Sequence, residues 1–345
     1  MGSIIGIILH SIGGFSAGSF YIPMNFVKKW SWETAWMILG IAAWIITPIT
    51  VAWITVPDFT EVLFKADSSV RFWTYFWGFM WGIGGLTFGL TMRYLGISLG
   101  MTIALGFCTA FGTLIPPIFA GTFMDLLSTV GGQVTITGVV LSLIGIGITG
   151  RAGFLKEKDL DKEQQQETIK EFNLTKGMII AVISGILSAS FAFGLTAGKP
   201  IAEIALSHGA KDLFQNNAVL VWVLWGGFTT NMMYVVFMML KNKSYTDLKK
   251  KDLPLAKNYI WAAIGGTTWY MQFFFYGMGT TFLGEKFEFA SWSLHMASII
   301  FFSNLWGVYF KEWKGVSKKT KATLYTGLAV IIISFIIIGA GGNIE

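Results

Sequence analysis

Several side chains that could move an ion or bind a small polar molecule fall inside long apolar runs of this chain. Glu288, Trp292 and His295 are spaced i, i+4 and i+7, so one face of a helix would carry all three. Ionisable groups inside an apolar helix are costly and mark functional sites by default. The alternatives are an interfacial carboxylate for Glu288 and a histidine bonded to a neighbouring carbonyl for His295.

Two further apolar runs carry polar and aromatic stripes. Trp269, Gln272 and Tyr276 lie at i, i+3 and i+7 in one run. The other run presents a single face made of His10, Gly14, Ala17, Tyr21 and Asn25. A tryptophan ring covers the apolar C–H face of a pyranose, while amides and carboxylates bind its hydroxyls. Together with Trp292, these stripes favour a sugar pocket, whereas ring packing and helix–helix bonding by Gln272 are the alternatives.

Charged residues also lie where apolar runs begin or end. Glu33 follows the sequence KKWSW, and Lys199 and Glu203 lie four residues apart on one helical face. All three are candidates for ion coupling. Glu33 could equally be a carboxylate that faces the helix dipole, and Lys199 with Glu203 could form an interfacial ion pair.

Membrane-spanning helices must position these side chains. Only 13% of the 345 residues are charged and 54% are hydrophobic, whereas a soluble domain carries about 25% charge. A helix needs about 20 apolar residues to cross a bilayer. Ten segments have this character: 3–26, 34–56, 71–92, 97–119, 133–150, 176–198, 217–240, 259–282, 288–310 and 322–341.

The second half of the chain echoes the first. Residues 83–96 read IGGLTFGLTMRYLG and residues 264–277 read IGGTTWYMQFFFYG. Internal repeats of this kind are typical of secondary transporters, whose substrate binds between the repeats. We predict two five-helix repeats, 1–151 and 176–345, joined by a charged linker over 152–175.

The distribution of Lys and Arg predicts the orientation. Of the 25 Lys and Arg residues, 20 follow the odd-numbered spans and only 5 follow the even-numbered ones. Basic loops stay in the cytoplasm, so the linker is expected to be cytoplasmic and both termini periplasmic. An odd number of spans per repeat inverts the second repeat relative to the first. The net charge of +6 therefore reflects loop placement and does not indicate nucleic-acid binding.

With these features in place, the chain resembles the L-rhamnose–proton symporter family of the drug/metabolite transporter superfamily. The likeness runs nearly end to end. It is carried by KKWSWET (28–34), GLTMRYLG (89–96), Gly-Lys-Pro followed by Glu203 (198–203), WYMQFFFYG (269–277), SWSLHM (291–296) and KEW (311–313). The linker and the loop 241–258 depart from the family by being longer and more basic.

The resemblance implies uptake of L-rhamnose, and also L-lyxose and L-mannose, with protons across a bacterial inner membrane. The fold implied is an all-α integral membrane protein with ten transmembrane helices as a 5+5 inverted repeat. The proton would be the coupling ion, without a cofactor, and the partners would be the sugar and the lipid bilayer. The proton-coupling candidates are Glu288, His295, Glu33, Glu203, Lys199 and His10. The sugar-contact candidates are Gln272, Trp269, Trp292, Tyr21, Tyr276 and Asn25.

Other classes of protein fit the sequence less well. An exporter or exchanger of another small sugar or metabolite on the same fold stays open. An integral-membrane transferase would need a His-Asp pair or an Asp-rich metal motif at the interface, and a sugar sensor would need a soluble output domain. Neither is visible. The chain has one cysteine, Cys108, so we predict no intrachain disulfide. It has no ATP-binding loop of the form GxxxxGK[ST], so we do not expect ATP to be the energy source. We predict a transporter and not an enzyme.

Overall fold

The computed structural model describes residues 2–95, 97–119, 121–159, 173–250, 254–283, 288–311 and 313–344, and for a few helical residues, Glu288 among them, it describes only the backbone. These residues form fifteen α-helices and no β-strand. The helices are α1 (Gly2–Ser19), α2 (Tyr21–Met24), α3 (Trp32–Gly40), α4 (Thr47–Thr55), α5 (Phe59–Lys65), α6 (Ser68–Leu95), α7 (Ile97–Phe119), α8 (Phe123–Ser128), α9 (Val130–Asp159), α10 (Leu174–Ala197), α11 (Lys199–Ser207), α12 (Asn217–Asn242), α13 (Leu255–Leu283), α14 (Glu288–Tyr309) and α15 (Lys318–Gly341).

Six segments of the described chain are long and apolar enough to cross a membrane. They are Ile4–Met24, Trp32–Thr55, Val130–Lys156, Thr175–Ser207, Asp212–Asn242 and Lys318–Gly341. Four further helices, α6, α7, α13 and α14, are 22 to 29 residues long. Each therefore matches or exceeds the roughly 30 Å thickness of the hydrocarbon core. The prediction of an all-α, multi-pass membrane protein is confirmed.

The second apolar segment is less regular than its sequence indicates, because a π-helical stretch, Ile41–Ile46, separates α3 from α4. Pro48 has no N–H, so the carbonyl of Trp44 has no donor four residues ahead. The backbone N–H of Thr47 instead bonds to the carbonyl of Ala42, five residues back. A π-turn of this kind often marks a functional site.

The charged linker is described in part. Helix α9 continues beyond the predicted end of its span to Asp159, while residues 160–172 lie outside the described residues. The basic loop 241–258 contains a short 3₁₀ helix, Ser244–Lys249, and residues 251–253 likewise lie outside the description.

The chain forms two compact units, each drawn from both halves of the sequence. Unit 1 comprises Met1–Gly14, Gly84–Ala192 and Gly279–Glu345, and unit 2 comprises Phe15–Ile83 and Phe193–Met278. Four helices, α1, α6, α10 and α13, contribute residues to both units.

In unit 1, α9 and α15 pack antiparallel along small residues repeated every seven positions. Gly131, Gly138 and Gly145 of α9 lie along Gly341, Ser334 and Gly327 of α15. A Cβ added at Gly138 would lie 2.6 Å from the Ile338 Cγ1 atom, so the two backbones touch where only glycine fits. Val139 and Ile338 of this pair then form a core with Leu294 of α14.

An aspartate closes one end of the α9–α15 pair. The Asp159 Oδ2 atom accepts hydrogen bonds from the Ser317 backbone N–H (2.8 Å) and from the Thr320 hydroxyl (2.6 Å). These bonds, that of Thr320 first, hold the pKa of Asp159 below its ordinary value. We name this contact the Asp159 clamp.

Unit 2 has its own close helix contacts. A Cβ added at Gly78 of α6 would lie 2.8 Å from the Val223 Cα atom of α12. A Cβ at Gly266 of α13 would lie 2.9 Å from the Ala42 Cβ atom in the π-turn. The hydroxyls of Thr47 and Thr267, 3.0 Å apart, join α4 to α13.

A second clamp closes unit 2 with nearly the same chemistry. The Asp247 Oδ2 atom accepts hydrogen bonds from the Ser31 backbone N–H (2.9 Å) and hydroxyl (2.9 Å), at the start of α3. Lys250 donates to its other oxygen at 2.9 Å. Burial raises the pKa of Asp247, but the bonds from Ser31 and Lys250 outweigh it and the net shift is downward. We name this contact the Asp247 clamp.

Candidate functional site

Unit 1 brings together two histidines that are far apart in sequence. His10 of α1 and His295 of α14 are both fully buried, and their ring centroids lie 6.2 Å apart in an edge-to-face arrangement. Room for the His10 ring comes from Gly279, where a Cβ would lie 2.8 Å from the Nε2 atom. We call His10 and His295 the imidazole pair.

Small residues bring α1 and α14 together beside this pair. A Cβ added at Gly14, one turn after His10, would lie 2.7 Å from the Ser298 carbonyl carbon, one turn after His295. The buried hydroxyls of Ser291, Ser293 and Ser298 have no hydrogen-bond partner among the described residues. The imidazole pair therefore lies on helices that approach at backbone contact, and α14 carries buried hydroxyls without a partner among the described residues.

Trp292 is buried one turn before His295 and is already bonded. Its Nε1 atom donates to the Cys108 carbonyl of α7 at 3.0 Å, and its ring stacks on Phe191 with centroids 5.6 Å apart. Trp292 thus fixes the face of α14 that carries His295. The side chain of Glu288, predicted on the same face, lies outside the described part of the chain.

Unit 2 holds a group of four aromatic rings, which we call the aromatic group: Trp44 of the π-turn, Trp81 of α6, and Trp269 and Phe273 of α13. Trp269 meets Trp44 nearly edge to face at 5.0 Å between centroids and lies 6.0 Å from Trp81. Phe273 lies 5.0 Å from Trp269 and 5.4 Å from Trp81. Three separate segments of unit 2 therefore converge on Trp269.

Two glycines leave space for the indole rings of Trp44 and Trp81. A Cβ added at Gly40 would lie 2.7 Å from the Trp44 Cζ3 atom, and a Cβ at Gly227 would lie 2.6 Å from the Trp81 Cζ3 atom. Each ring is therefore seated on a backbone that has no side chain.

Three polar residues of α13 follow Trp269 within two helical turns. Gln272 is buried and donates from Nε2 to the Trp269 carbonyl at 2.9 Å. Tyr276, one turn further on, is also buried. Buried Tyr270, next to Trp269, has a hydroxyl without a hydrogen-bond partner in the described residues. The predicted stripe Trp269, Gln272 and Tyr276 thus lies inside unit 2.

The remaining candidates lie at helix ends or on exposed surfaces. Glu33 is buried, and its Oε1 atom accepts from the Asn242 Nδ2 atom (2.9 Å) and the Ser244 hydroxyl (2.8 Å), which joins the start of α3 to the end of α12. Tyr21 is 55% exposed. The other exposed candidates are Asn25, Lys199 and Glu203.

The third histidine has a different environment. His208, in the loop after α11, bonds from Nδ1 to Asp58 at 3.1 Å, and its Nε2 atom lies 3.0 Å from the Lys65 Nζ atom. It belongs to a surface cluster of unit 2. Among the described residues, no three His, Cys, Asp or Glu side chains come together as a possible metal site.

Sequence reasoning did not identify Trp44 or Trp81, and it did not pair His10 with His295. Pro48 was the available signal for Trp44, because a proline inside an apolar segment frees the carbonyl four residues earlier. For the imidazole pair the available signal was weaker. Gly279 and Gly14 indicate that another helix comes close to theirs, but the sequence does not say which helix that is.

Comparison with known proteins identifies the family. The family model for the L-rhamnose-proton symport protein matches residues 2–343. The L-rhamnose-proton symporters of Yersinia pestis (strain Pestoides F) and Yersinia pseudotuberculosis (strain YPIII) are 40% identical over 345 residues, which is 98% of this chain and 98% of each of theirs. That of Citrobacter koseri is 40% identical over 342 residues, 98% of this chain and 97% of its own. The chain belongs to the L-rhamnose-proton symport protein family.

Proposed function

We propose that this protein imports L-rhamnose together with protons across a bacterial inner membrane by alternating access. The observation that carries the proposal is the 40% identity, over 98% of the chain, to proteins named L-rhamnose-proton symporters. The apolar helices and their buried polar groups fit a transporter of a small neutral sugar. L-Lyxose and L-mannose are further candidate substrates.

We propose ten spans arranged as two inverted five-helix repeats, 1–151 and 176–345, with both termini periplasmic. The six apolar segments and the four other long helices together supply ten candidates. The helices that contribute to both compact units are the first, third, sixth and eighth of these candidates. They form two pairs separated by five spans, as a five-plus-five repeat requires.

The imidazole pair is our leading proton site. Two charged imidazoles at this separation would repel strongly in a low-dielectric interior, so the pair holds one proton at a time. Glu288 is the proposed partner on the same helix, seven positions before His295. Glu33 ranks lower because its carboxylate already accepts two hydrogen bonds. Glu203 and Lys199 rank lower because both side chains are exposed.

The sugar contacts are proposed on α13. Gln272 supplies an amide, Tyr276 a hydroxyl, and Trp269 an aromatic surface for the C–H face of the pyranose. Trp292, Tyr21 and Asn25 stay predictions, since the Trp292 N–H is engaged and the other two are exposed.

A neutral sugar brings no charge, so the proton couples transport to the membrane potential. Inward movement of one charge gains about 2.3 kcal/mol per 100 mV. The charge of the protonated imidazole pair is balanced by the proposed Glu288 carboxylate, and the sugar hydroxyls are paired. Closing over the bound proton and sugar then buries neither an isolated charge nor unpaired polar groups. Release of sugar and proton to the cytoplasm completes the cycle.

Uptake of radiolabelled L-rhamnose tests the proposal, in a bacterial host without L-rhamnose uptake of its own. We expect accumulation that a protonophore abolishes, and alkalinisation of a weakly buffered medium when L-rhamnose is added. Unlabelled L-lyxose and L-mannose serve as competitors. Absence of L-rhamnose uptake would refute the proposed substrate. Acidification instead of alkalinisation would favour an exchanger or exporter.

A further inference from the structure

We propose that Trp44 contacts the transported sugar, donating its indole N–H to a sugar hydroxyl and so contributing to sugar specificity. This inference rests on the proposed function and adds a residue to its sugar site. No sequence pattern singled out Trp44, and three independent features of unit 2 point to it.

The first feature is an unused donor. Trp44 is only 3% exposed, and its Nε1 atom has no hydrogen-bond partner among the described residues. Tryptophan N–H groups usually find a partner when they are buried, because an enclosed donor without one loses its bond to water. A hydroxyl oxygen of a bound ligand would supply that partner.

The second feature is the backbone that carries Trp44. It lies in the π-turn Ile41–Ile46, four residues before Pro48, in an otherwise α-helical segment. The turn changes the direction in which this side chain leaves the helix, and irregular turns of this kind recur at functional sites. The indole ring of Trp44 lies against the backbone of Gly40. A Cβ added at Gly40 would lie 2.7 Å from the Trp44 Cζ3 atom and 2.9 Å from its Cε3 atom. Those atoms form the indole edge opposite Nε1, so the N–H points away from its own helix turn.

The third feature is the neighbour. Trp44 meets Trp269, which is itself on the face of α13 that carries Gln272. An aromatic surface next to a spare N–H donor and an amide is the combination that a pyranose requires, with an apolar C–H face and hydroxyls at its edge. L-Rhamnose, a 6-deoxy sugar, adds a methyl group that suits an aromatic wall.

The test replaces Trp44 with phenylalanine, which keeps an aromatic ring and removes the N–H. The full-length protein is reconstituted in liposomes, and L-rhamnose counterflow is measured without a proton gradient. The matched control is Trp225→Phe, since Trp225 also lies in unit 2, has a buried Nε1 atom without a partner among the described residues, and is outside the aromatic group. A second variant carries benzothienylalanine at position 44, which keeps the bicyclic shape and lacks the N–H.

We expect Trp44→Phe and the benzothienylalanine variant to raise the KM for L-rhamnose by about 3- to 10-fold, the usual effect of losing one neutral hydrogen bond. Trp225→Phe should leave it within about twofold, because no sugar hydroxyl is involved. Monodeoxy analogues of L-rhamnose then locate the bond: one analogue should compete poorly with the unmodified protein and lose that disadvantage in the position-44 variants.

An unchanged KM and an unchanged order of competitors in both position-44 variants would overturn the inference, while counterflow in the unmodified protein would still uphold the proposed function. Absence of L-rhamnose counterflow in the unmodified protein would refute the proposed function and this inference with it.

Discussion

The two compact units carry buried groups of opposite character. In unit 1, the imidazole pair lies on helices that touch through glycine and serine. Trp292, one turn before His295, already uses its N–H. In unit 2, the aromatic group contains three indoles and no ionisable side chain, and the N–H of Trp44 is unused. Together with the proposed function, this contrast leads us to propose a division of labour, with proton chemistry in unit 1 and sugar recognition in unit 2.

The helices that support the imidazole pair and the aromatic group also differ in regularity. Helices α9 and α15 of unit 1 are regular and meet along a seven-residue repeat of small side chains. The helical segment that carries Trp44 in unit 2 is interrupted by a π-turn. A regular frame suits a proton site, where two rings must keep a fixed separation. A π-turn is frequent at functional sites, which agrees with the proposed sugar contact of Trp44.

The largest expected effect comes from His295→Gln. Glutamine keeps a polar side chain but cannot carry the proton, so accumulation of radiolabelled L-rhamnose driven by a proton gradient should fall at least about tenfold. Counterflow and its KM should persist, because the proposed sugar contacts lie in unit 2. His10→Gln should behave in the same way.

The control for this experiment is His208→Gln, the same substitution in the surface cluster with Asp58 and Lys65. It should keep accumulation within about twofold of the unmodified protein, as surface substitutions away from a site usually do. If His295→Gln accumulates sugar as well as His208→Gln does, the proton does not reside on the imidazole pair. If His295→Gln changes the counterflow KM as strongly as Trp44→Phe does, the division of labour is wrong.

A second prediction concerns the frame behind the imidazole pair. Gly138→Ala places a Cβ 2.6 Å from the Ile338 Cγ1 atom and 2.9 Å from its backbone nitrogen, so α9 and α15 must separate. Overpacking of this kind costs about 1–3 kcal/mol of unfolding free energy. The melting temperature of the detergent-solubilised protein should fall by several degrees.

Gly147→Ala is the matched control, because it lies on the same helix and an added Cβ meets nothing within 4 Å. It should leave the melting temperature unchanged or raise it slightly, since alanine favours a helix over glycine by about 1 kcal/mol. Equal melting temperatures for the two variants would show that the glycine contacts do not hold this pair of helices together.

The sequence predicted the helical membrane architecture well, and it revealed only some of the side-chain groupings that form the candidate site. Long apolar runs make the spans visible, because a bilayer imposes one length on every helix. The stripe Trp269, Gln272 and Tyr276 could be read from local spacing alone. The imidazole pair could not, because it depends on which of several glycine-rich helices meet. Trp44 was missed because a π-turn shifts the helical periodicity on which face assignments rest.

The clamps show a similar limit. Ser31 with Thr34 and Ser317 with Thr320 share an S-x-x-T spacing at the start of a helix, which local sequence can reveal. The aspartate that each receives comes from a distant segment. Asp247 reaches Ser31 and Asp159 reaches Ser317, and no local pattern announces either partner.

The smallest expected effect is a pH dependence of stability from these clamps, which should have the same direction in the two units. The pKa of Asp247 in the folded protein lies below its ordinary value of 3.8, so its carboxylate stabilises the fold above that pH. The contribution is lost as the pH falls through the lowered pKa. Asp247→Asn should therefore lower the melting temperature by roughly 2–4 °C at pH 6 to 7, and the difference should shrink below about pH 4.

Asp159→Asn tests whether unit 1 behaves like unit 2, and we expect the same direction with a smaller shift because Asp159 is fully exposed to solvent. Asp125→Asn is the control for the change in charge, since Asp125 is exposed at the start of α8. A melting-temperature difference for Asp247→Asn that stays constant down to pH 3 would contradict the lowered pKa. An equal melting-temperature difference for Asp125→Asn would trace the effect to net charge. The clamps would then add nothing measurable to the stability of either unit.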